Sequence, residues 1–449
     1  MKYLSAETSE KLDRVLNHKI QGIFVFLFLL WFMFYCTFNL GKIPQQIIQN
    51  GISALSGYVR GILPAGPFKD LLTDGIINGL GSVVVYLPNI LILFLFISFL
   101  EQSGYIPRAS NLMNRYMSRL GLSGQSFLPL IMGFGCNVPA ILSAHTIPNR
   151  RYRLMTILIN PFMSCSARLP VYILIIGAFF PDNPVWVLSF LYMSGIATAV
   201  ITALIFKHFI LPGKKFGNKS VKILSPYNIP SVKTTLEFMW EKTIQYLKKI
   251  GGVVLVAVII IWALNYYPRN DKSTEKYDRT VAAINESNIS PDRKAREIGK
   301  AESIRKVEQQ SQSYLGRFGH FIEPAMRPLG FDRKMSIALI SGLPAKEFIV
   351  SSLGVLYQVE GEESASALSD RLRNELYTSG HKRGSHVFDK PVALSFLVFV
   401  LLYFPCIGTI AAIGKESNRR WAFFSAIYTT GVAWIMSFAV YRISLLIFR

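Results

Sequence analysis

The chain has 449 residues, of which 51% are hydrophobic and 13% aromatic, with a mean hydropathy of +0.35 and a net charge of +21. This composition, with its long charge-free runs, excludes an ordinary soluble domain and is that of a membrane protein. So high a positive charge would suit a nucleic-acid binder, but the Lys and Arg residues cluster in loops beside apolar runs, where they encode topology; no nucleic-acid partner is expected.

Met1–Lys19 reads as a short amphipathic helix leading into a first span. It is not a signal peptide, because the first apolar run follows a polar, charged segment and is too long for an h-region. Charge-free runs long enough for the roughly 20 residues a bilayer span needs are Ile20–Gly41, Gly75–Leu100, Asn183–Phe206, Ile250–Pro268, Pro391–Gly414 and Trp421–Tyr441, and Met155–Pro181 joins them with only Arg168 interrupting. Lys42–Asp74, rich in Gly and Ile, reads as an external segment on or against the membrane. The basic stretches Lys2–Lys19, Arg108–Arg119, Arg150–Arg153, Lys207–Lys249 and Lys415–Arg420 are expected in the cytoplasm, with the N-terminus, and the loop Pro181–Pro184, which lacks Lys and Arg, outside. Arg269–Gly319 reads as a long charged external loop that adds little to the core, and 358–390 as a second external polar insertion. The expected organisation is therefore 1–74 (amphipathic helix, first span, external segment), 75–212 (first repeat), 213–249 (basic cytoplasmic linker) and 250–449 (second repeat). Seven spans plus two broken elements would leave the C-terminus outside.

The two repeats are legible at an offset of 209. Gly121-Leu-Ser-Gly-Gln125 leads to Leu130-Ile-Met-Gly133, and Gly330-Phe-Asp-Arg-Lys334 leads to Leu339-Ile-Ser-Gly342, with Gly121, Leu130, Ile131 and Gly133 meeting identical residues. On this register Cys136 faces Ala345 and Val138 faces Glu347. Counted from a cytoplasmic N-terminus, the two repeats run in opposite senses. The fold class expected is all-α: a polytopic transmembrane protein with two inverted repeats, each containing a broken or re-entrant helix, the recurring plan of secondary transporters.

The chemistry-bearing residues lie at the breaks. Gly133, Gly135 and Pro139 disfavour an unbroken helix in the uncharged run 120–149, and non-helical backbone at membrane depth survives only where protein buries it or it lines a cavity. This break carries a thiol, Cys136, and an amide, Asn137. Cys165 lies in Asn160-Pro-Phe-Met-Ser-Cys-Ser-Ala-Arg-Leu-Pro170, flanked by Ser164 and Ser166, and Cys406 follows Pro405 in Tyr403-Phe-Pro-Cys-Ile-Gly-Thr409. Thiolates suit soft and borderline divalent metals better than Mg²⁺ or Ca²⁺; a buried cysteine is also simply a small hydrophobe, the reading that fits Cys36 in its plain helix. Glu347, after Lys346, is either on an ion path or a structural partner of Lys346 or Arg168. Glu101, ending its run, either marks a cytoplasmic exit or is an interfacial carboxylate without a role. Four cysteines in apolar segments make no disulfide framework. There is no G-x-x-x-x-G-K-[S/T], G-x-S-x-G or H-E-x-x-H, hence no sign of an enzyme.

Gly133-Phe-Gly-Cys-Asn-Val-Pro139, Asn160–Pro170, Leu343-Pro-Ala-Lys-Glu347 and Phe404–Ile413 together resemble the membrane part of FeoB-type bacterial ferrous iron transporters, over about Leu12 to Arg442. The resemblance implies two gate units and Fe²⁺ import across the bacterial inner membrane, with Fe²⁺ as substrate and no permanently bound cofactor. It implies Cys136 and Cys406 as paired gate cysteines, with Cys165, Glu347 and Asn137 as further metal-contacting residues and Gly133, Gly135, Pro139, Ser164, Ser166, Pro405 and Glu101 along the path. The family normally begins with a G-protein domain and a helical regulatory domain, and this chain has neither, which implies a GTPase partner in cis or in trans. A small FeoA-like cytoplasmic protein and a homo-oligomer are further expected partners, besides the bilayer. The competing readings are a gate-fold transporter of a nucleoside or another divalent metal, and a membrane anchor for a separate GTPase.

Overall fold

The structure, a computed structural model, describes residues 2–3, 6–16, 18, 20–64, 66–210, 227–269, 271–287, 290–357, 365–376, 384 and 386–448. Parts of the basic linker 213–249 and of the insertion 358–390 lie outside the described residues. The described chain is almost entirely helical; its one named sheet is a two-residue antiparallel pairing of β1 (Lys2–Tyr3) with β2 (Asn228–Ile229).

In chain order, α1 (Ala6–Leu16) is followed by α2 (Gln21–Ile62), the short α3 (Pro67–Asp70), a π-helical turn at Leu71–Ile77, α4 (Asn78–Val84), α5 (Leu87–Gln102) and α6 (Tyr105–Arg119). Then come α7 (Phe127–Gly135), α8 (Asn137–Ser143), α9 (Arg150–Ile159), α10 (Leu169–Phe179) and α11 (Pro184–Ile210). The second half has α12 (Val232–Tyr266), α13 (Asp271–Glu286), α14 (Pro291–Gln312), α15 (Tyr314–Met326), α16 (Arg333–Ser341), α17 (Phe348–Leu356), α18 (Ala365–Asn374), α19 (Lys390–Leu402), α20 (Ile407–Glu416) and α21 (Arg419–Ile447).

Five helical segments among the described residues are long and apolar enough to cross a membrane: 21–62, 150–179, 184–209, 390–416 and 419–447. They cover five of the seven expected spans. The other two differ. The expected span Gly75–Leu100 is interrupted, and its main part, α5, forms with α6 a pair bent by 86°. Ile250–Pro268 is the apolar end, Gly251–Tyr266, of the longer α12. Lys42–Asp74, expected outside, begins as a continuation of α2 through Pro44 to Ile62. At 1.5 Å per residue that helix is about 63 Å long, twice a hydrocarbon core. The charged stretch expected as the loop Arg269–Gly319 is built of α13, α14 and the start of α15, and it is docked: Gln309 Nε2 donates to the Tyr266 carbonyl at 2.6 Å, and the buried Gln310 to Ser352 Oγ at 3.0 Å.

The helices fall into two compact units. Unit 1 comprises Met1–Ser166, Gly195–Val256 and Gly408–Ser425, and unit 2 comprises Ala167–Ser194, Ala257–Ile407 and Ala426–Arg449. In unit 1, α2 packs on α5 and α7 through Phe32 against Phe96 (ring centroids 5.7 Å) and Phe26 against Phe127 (5.0 Å). At one end of this unit the basic stretches meet. Arg108, only 2% exposed, donates from Nε to Asp13 Oδ1 at 2.6 Å and from Nη1 to the Gly104 carbonyl at 2.8 Å, and the Tyr227 ring lies 3.6 Å from its guanidinium. Tyr227 also donates to Asp13 (2.8 Å), and Lys207 Nζ caps the Arg119 carbonyl (2.9 Å). Burial pushes the Asp13 carboxyl up, but the bonds from Arg108 and Tyr227 outweigh it and hold the group below the usual carboxylate range. Arg150 and Arg153 share an open cleft of about 330 Å³ with Glu416, Ser417 and Trp421, so the two short basic loops also lie together. In unit 2 the core is an aromatic ladder: Phe331 against Phe396 and Phe399 (both 5.6 Å), Phe388 against Phe396 (6.0 Å) and Phe399 against Tyr403 (5.2 Å).

The register of 209 is visible in the backbone. After α6, the Gly121 N–H bonds the Ser118 carbonyl and the Leu122 N–H reaches back to Met117; before α16, Gly330 bonds Arg327 and Phe331 reaches Met326. Both glycines are left-handed (φ 78° and 86°), a Schellman closure that an L side chain would strain. The two halves thus end a helix with the same device at the same offset.

Candidate functional site

Each unit contains a pair of helix breaks tied to each other. In unit 1 the first break separates α7 from α8. Cys136 between them is extended (φ −152°, ψ 126°), yet its N–H still caps the Met132 carbonyl (3.0 Å) and its carbonyl accepts from Ala140 N (3.3 Å). A break leaves carbonyls without helical partners, and in a membrane no water replaces them. Side chains do so here. Asn137 is buried; with its amide oriented so that nitrogen faces the three oxygens around it, it donates to Gly133 O (3.0 Å), Asn160 Oδ1 (3.1 Å) and Asn160 O (3.3 Å). Asn160, fully buried, donates in turn to the Pro129 carbonyl (2.8 Å), and Ser166 Oγ to the Gly135 carbonyl (3.0 Å).

These bonds join the Cys136 break to the second one, the stretch 160–166 after α9, where Asn160–Phe162 is a single 3₁₀ turn and Met163 is extended. The approach is close enough to require glycine at 133: a Cβ there would lie 2.9 Å from both Asn160 Oδ1 and Met163 Cβ. Unit 1 thus brings together Gly133, Gly135, Cys136, Asn137, Ser166 and Cys165. Pro139 and Ser164 are buried in the same segments, and Cys136 and Cys165 are half-buried. Met132 and Met163 are buried, as core residues are.

Unit 2 repeats the arrangement. The break between α16 and α17 spans Gly342–Glu347, and that between α19 and α20 spans Tyr403–Cys406. Ile407 N donates to the Leu343 carbonyl (3.1 Å), and Lys346, 1% exposed, donates from Nζ to the Phe404 carbonyl (2.7 Å). Lys346 stands at the register position of Asn137, and both reach the backbone of the neighbouring break. Cys165 and Cys406 also match, each ending the irregular stretch just before the chain turns helical again. Pro405 is buried beside Cys406, which is half-buried. Glu347 is half-buried and is in no ion pair among the described residues; the ammonium of Lys346 is directed to Phe404 and the ring of Tyr403 instead. Arg168 is buried in unit 2. Glu101 is exposed at the bend between α5 and α6, outside both pairs of breaks. None of the four cysteines is in a disulfide. Among the described residues no three His, Cys, Asp or Glu side chains converge as a closed metal cage would require.

The family model described as Gate, nucleoside recognition, matches residues 83–179 and 247–420, more than half of the sequence and all four breaks. The chain belongs to the Gate family. A second model, Ferrous iron transport protein B C terminus, matches residues 188–242. This Gate protein is 44% identical over 441 residues to the Fe(2+) transport protein A/Fe(2+) transporter FeoB fusion protein of Porphyromonas gingivalis, an alignment covering 98% of this chain and 52% of that one. It is 35% identical over 432 residues to the Fe(2+) transporter FeoB of Campylobacter jejuni (96% and 64%) and 35% identical over 446 residues to that of Staphylococcus aureus (97% and 59%). The chain therefore spans between half and two thirds of the length of these relatives. No solved structure matches it.

Sequence reasoning overlooked Asn160, Tyr403 and the Asp13–Arg108–Tyr227 cluster. Asn160 carried a signal: an Asn-Pro pair inside an apolar run marks a break, and a buried amide there needs partners. The cluster carried none, since its three residues are far apart in sequence and individually ordinary.

Proposed function

We propose that this chain carries Fe²⁺ into the cytoplasm across a bacterial inner membrane, with the tied breaks as the passage and Cys136, Cys165, Cys406, Glu347 and Asn137 as the residues nearest the ion. One observation carries this reading: a thiol stands on extended backbone inside a buried break whose other polar groups are occupied by Asn137, Asn160 and Ser166. The sulfur of Cys136 stands at that break, and sulfur favours Fe²⁺ over Mg²⁺ or Ca²⁺. The absence of a closed three-ligand cage among the described residues fits a path rather than a store, because an ion that must leave cannot be held too well. The names of the relatives, over nearly the whole chain, agree with iron as cargo.

In this reading the chain needs no resident cofactor and performs no catalysis itself. GTP hydrolysis by a G-protein domain, in cis or in trans, meets it on the cytoplasmic side, where the N-terminus and the basic loops lie. A FeoA-like protein docks on the same side, as the naming of the Porphyromonas relative as a fusion suggests. The protein works as a homo-oligomer or alone on the same residues.

The description of the Gate model favours a second reading, nucleoside transport. Its chemistry fits less well: a base and ribose need several available amides and carboxylates, and the two buried amides here are bonded to each other and to backbone. Purified protein in liposomes, with an Fe²⁺-quenched dye inside and labelled nucleoside offered in parallel, decides between them. Iron influx without nucleoside influx supports the first reading, and the reverse supports the second. Neither flux, in protein that remains folded, supports a membrane anchor.

A further inference from the structure

Lys346 is a buried cation at membrane depth, and its surroundings are those of a bound ion. Its ammonium donates to the Phe404 carbonyl at 2.7 Å and lies 3.2 Å from the centroid of the Tyr403 ring. The C-terminal end of α19 makes both partners available: Tyr403 is extended, so the chain leaves the helix and the Phe404 carbonyl points away from any helical donor. The ring is held in place, its hydroxyl donating to the Leu339 carbonyl (3.2 Å) and its face stacked on Phe399 (5.2 Å). A carbonyl oxygen and an aromatic face are the groups that replace water around a desolvated cation. At the corresponding position of the first half, Asn137 makes the same reach with a neutral amide. The two halves thus share the tie between breaks and differ in its charge.

We propose that Lys346 is a resident cation: its ammonium fills a cation seat formed by the Phe404 carbonyl and the Tyr403 ring, and the second break stays closed to a passing cation while that ammonium is seated. The plug must then withdraw before a cation passes the second break. The proposal deepens the transport reading and rests on it for the meaning of the path, but the seat itself is testable without iron.

Lys346→Ala empties the seat. Purified in detergent, this variant is expected to melt below wild type, and methylammonium or K⁺ at high concentration is expected to restore a substantial part of the loss. Neither ion should shift wild type or Lys346→Met, whose apolar chain occupies the space. Equal melting in choline, K⁺ and methylammonium would make Lys346 a strut and overturn the proposal, as would an Ala variant as stable as wild type. Should the Ala variant fail to fold, Lys346→Gln keeps a donor for Phe404 and removes the charge. In liposomes it is expected to raise K⁺ leak by about tenfold or more, each tenfold being ~1.4 kcal/mol of barrier; leak equal to wild type would overturn the proposal. Fe²⁺ influx through wild-type protein, measured in the same vesicles, reports separately on the transport reading: its absence with a cation-dependent Lys346→Ala would remove the iron and leave the seat.

Discussion

Asn137→Leu is the perturbation that the first pair of breaks makes most specific. Leucine keeps the four-atom branched shape of asparagine and removes the donor, so Gly133 O, Asn160 Oδ1 and Asn160 O lose the Asn137 amide, while Asn160 O keeps its bond from Met163 N. Side-chain hydrogen bonds inside membrane proteins are worth on average ~0.6 kcal/mol each, with the largest near ~1.7. The amide has two N–H donors, so about 1–3 kcal/mol is at stake, the upper end applying because a fully buried carbonyl has no water to turn to. The loss should be shared with Asn160. Asn160→Leu also frees the Pro129 carbonyl, and the double variant should fall short of the sum of the singles by about 0.5–3 kcal/mol, as coupled neighbours do. Unfolding of the detergent-purified protein, followed by tryptophan fluorescence, reads the stability, and the maleimide reactivity of Cys136 and Cys165 reads how far the two breaks have separated. A single variant that melts and labels as wild type does, or a double variant that is strictly additive, would refute the claim that these amides hold the breaks together.

Three further outcomes follow from the same geometry. Glu347→Gln should leave the melting temperature close to that of wild type and reduce Fe²⁺ transport, because Glu347 is in no ion pair among the described residues; a large loss of stability with normal transport would return it to a structural role. Asp13 is held below the usual carboxylate range, so its contribution to stability is present above its unfolded pKa of about 3.9 and is lost as pH falls through the lower folded value. Asp13→Asn should therefore weaken the protein at neutral pH and flatten its acid-side stability profile; an unchanged profile would show that the cluster with Arg108 and Tyr227 is inert. Single cysteines at Asn149, Asn183 and Asn418 should react with an impermeant maleimide on intact cells only at position 183, and labelling at 149 without 183 would reverse the orientation and the sense of the repeats.

The breaks themselves were legible because glycine and proline leave marks that tertiary context cannot hide. Gly133, Gly135 and Pro139 placed the first, and the Gly121–Gly330 register carried the second, since both glycines close a helix in the same left-handed turn. What lay between elements was less legible. Hydropathy reports where the bilayer ends and not where a helix ends, so the continuation of α2 beyond Gly41 to Ile62 was not legible. The stretch 269–319 was read as a loop because it is charged. Its charges in fact pair at helical spacing, Lys306 with Glu302 at 2.8 Å and Lys300 with Glu297 at 2.7 Å, a pattern that favours helix. Sequence offered Lys346 only its neighbour Glu347 as a possible partner; the hydrogen bond its ammonium makes to a carbonyl 58 residues away was not legible there.

The central claim is that sulfur at the breaks carries iron, and Fe²⁺ influx into liposomes by the Cys136→Ser, Cys406→Ser double variant tests it most directly. Serine keeps the size and removes the soft donor. The account predicts folded protein with Fe²⁺ influx reduced by about tenfold or more, the cost of losing ~1.4 kcal/mol of stabilisation along the path. Influx equal to wild type, at equal reconstitution, would contradict it.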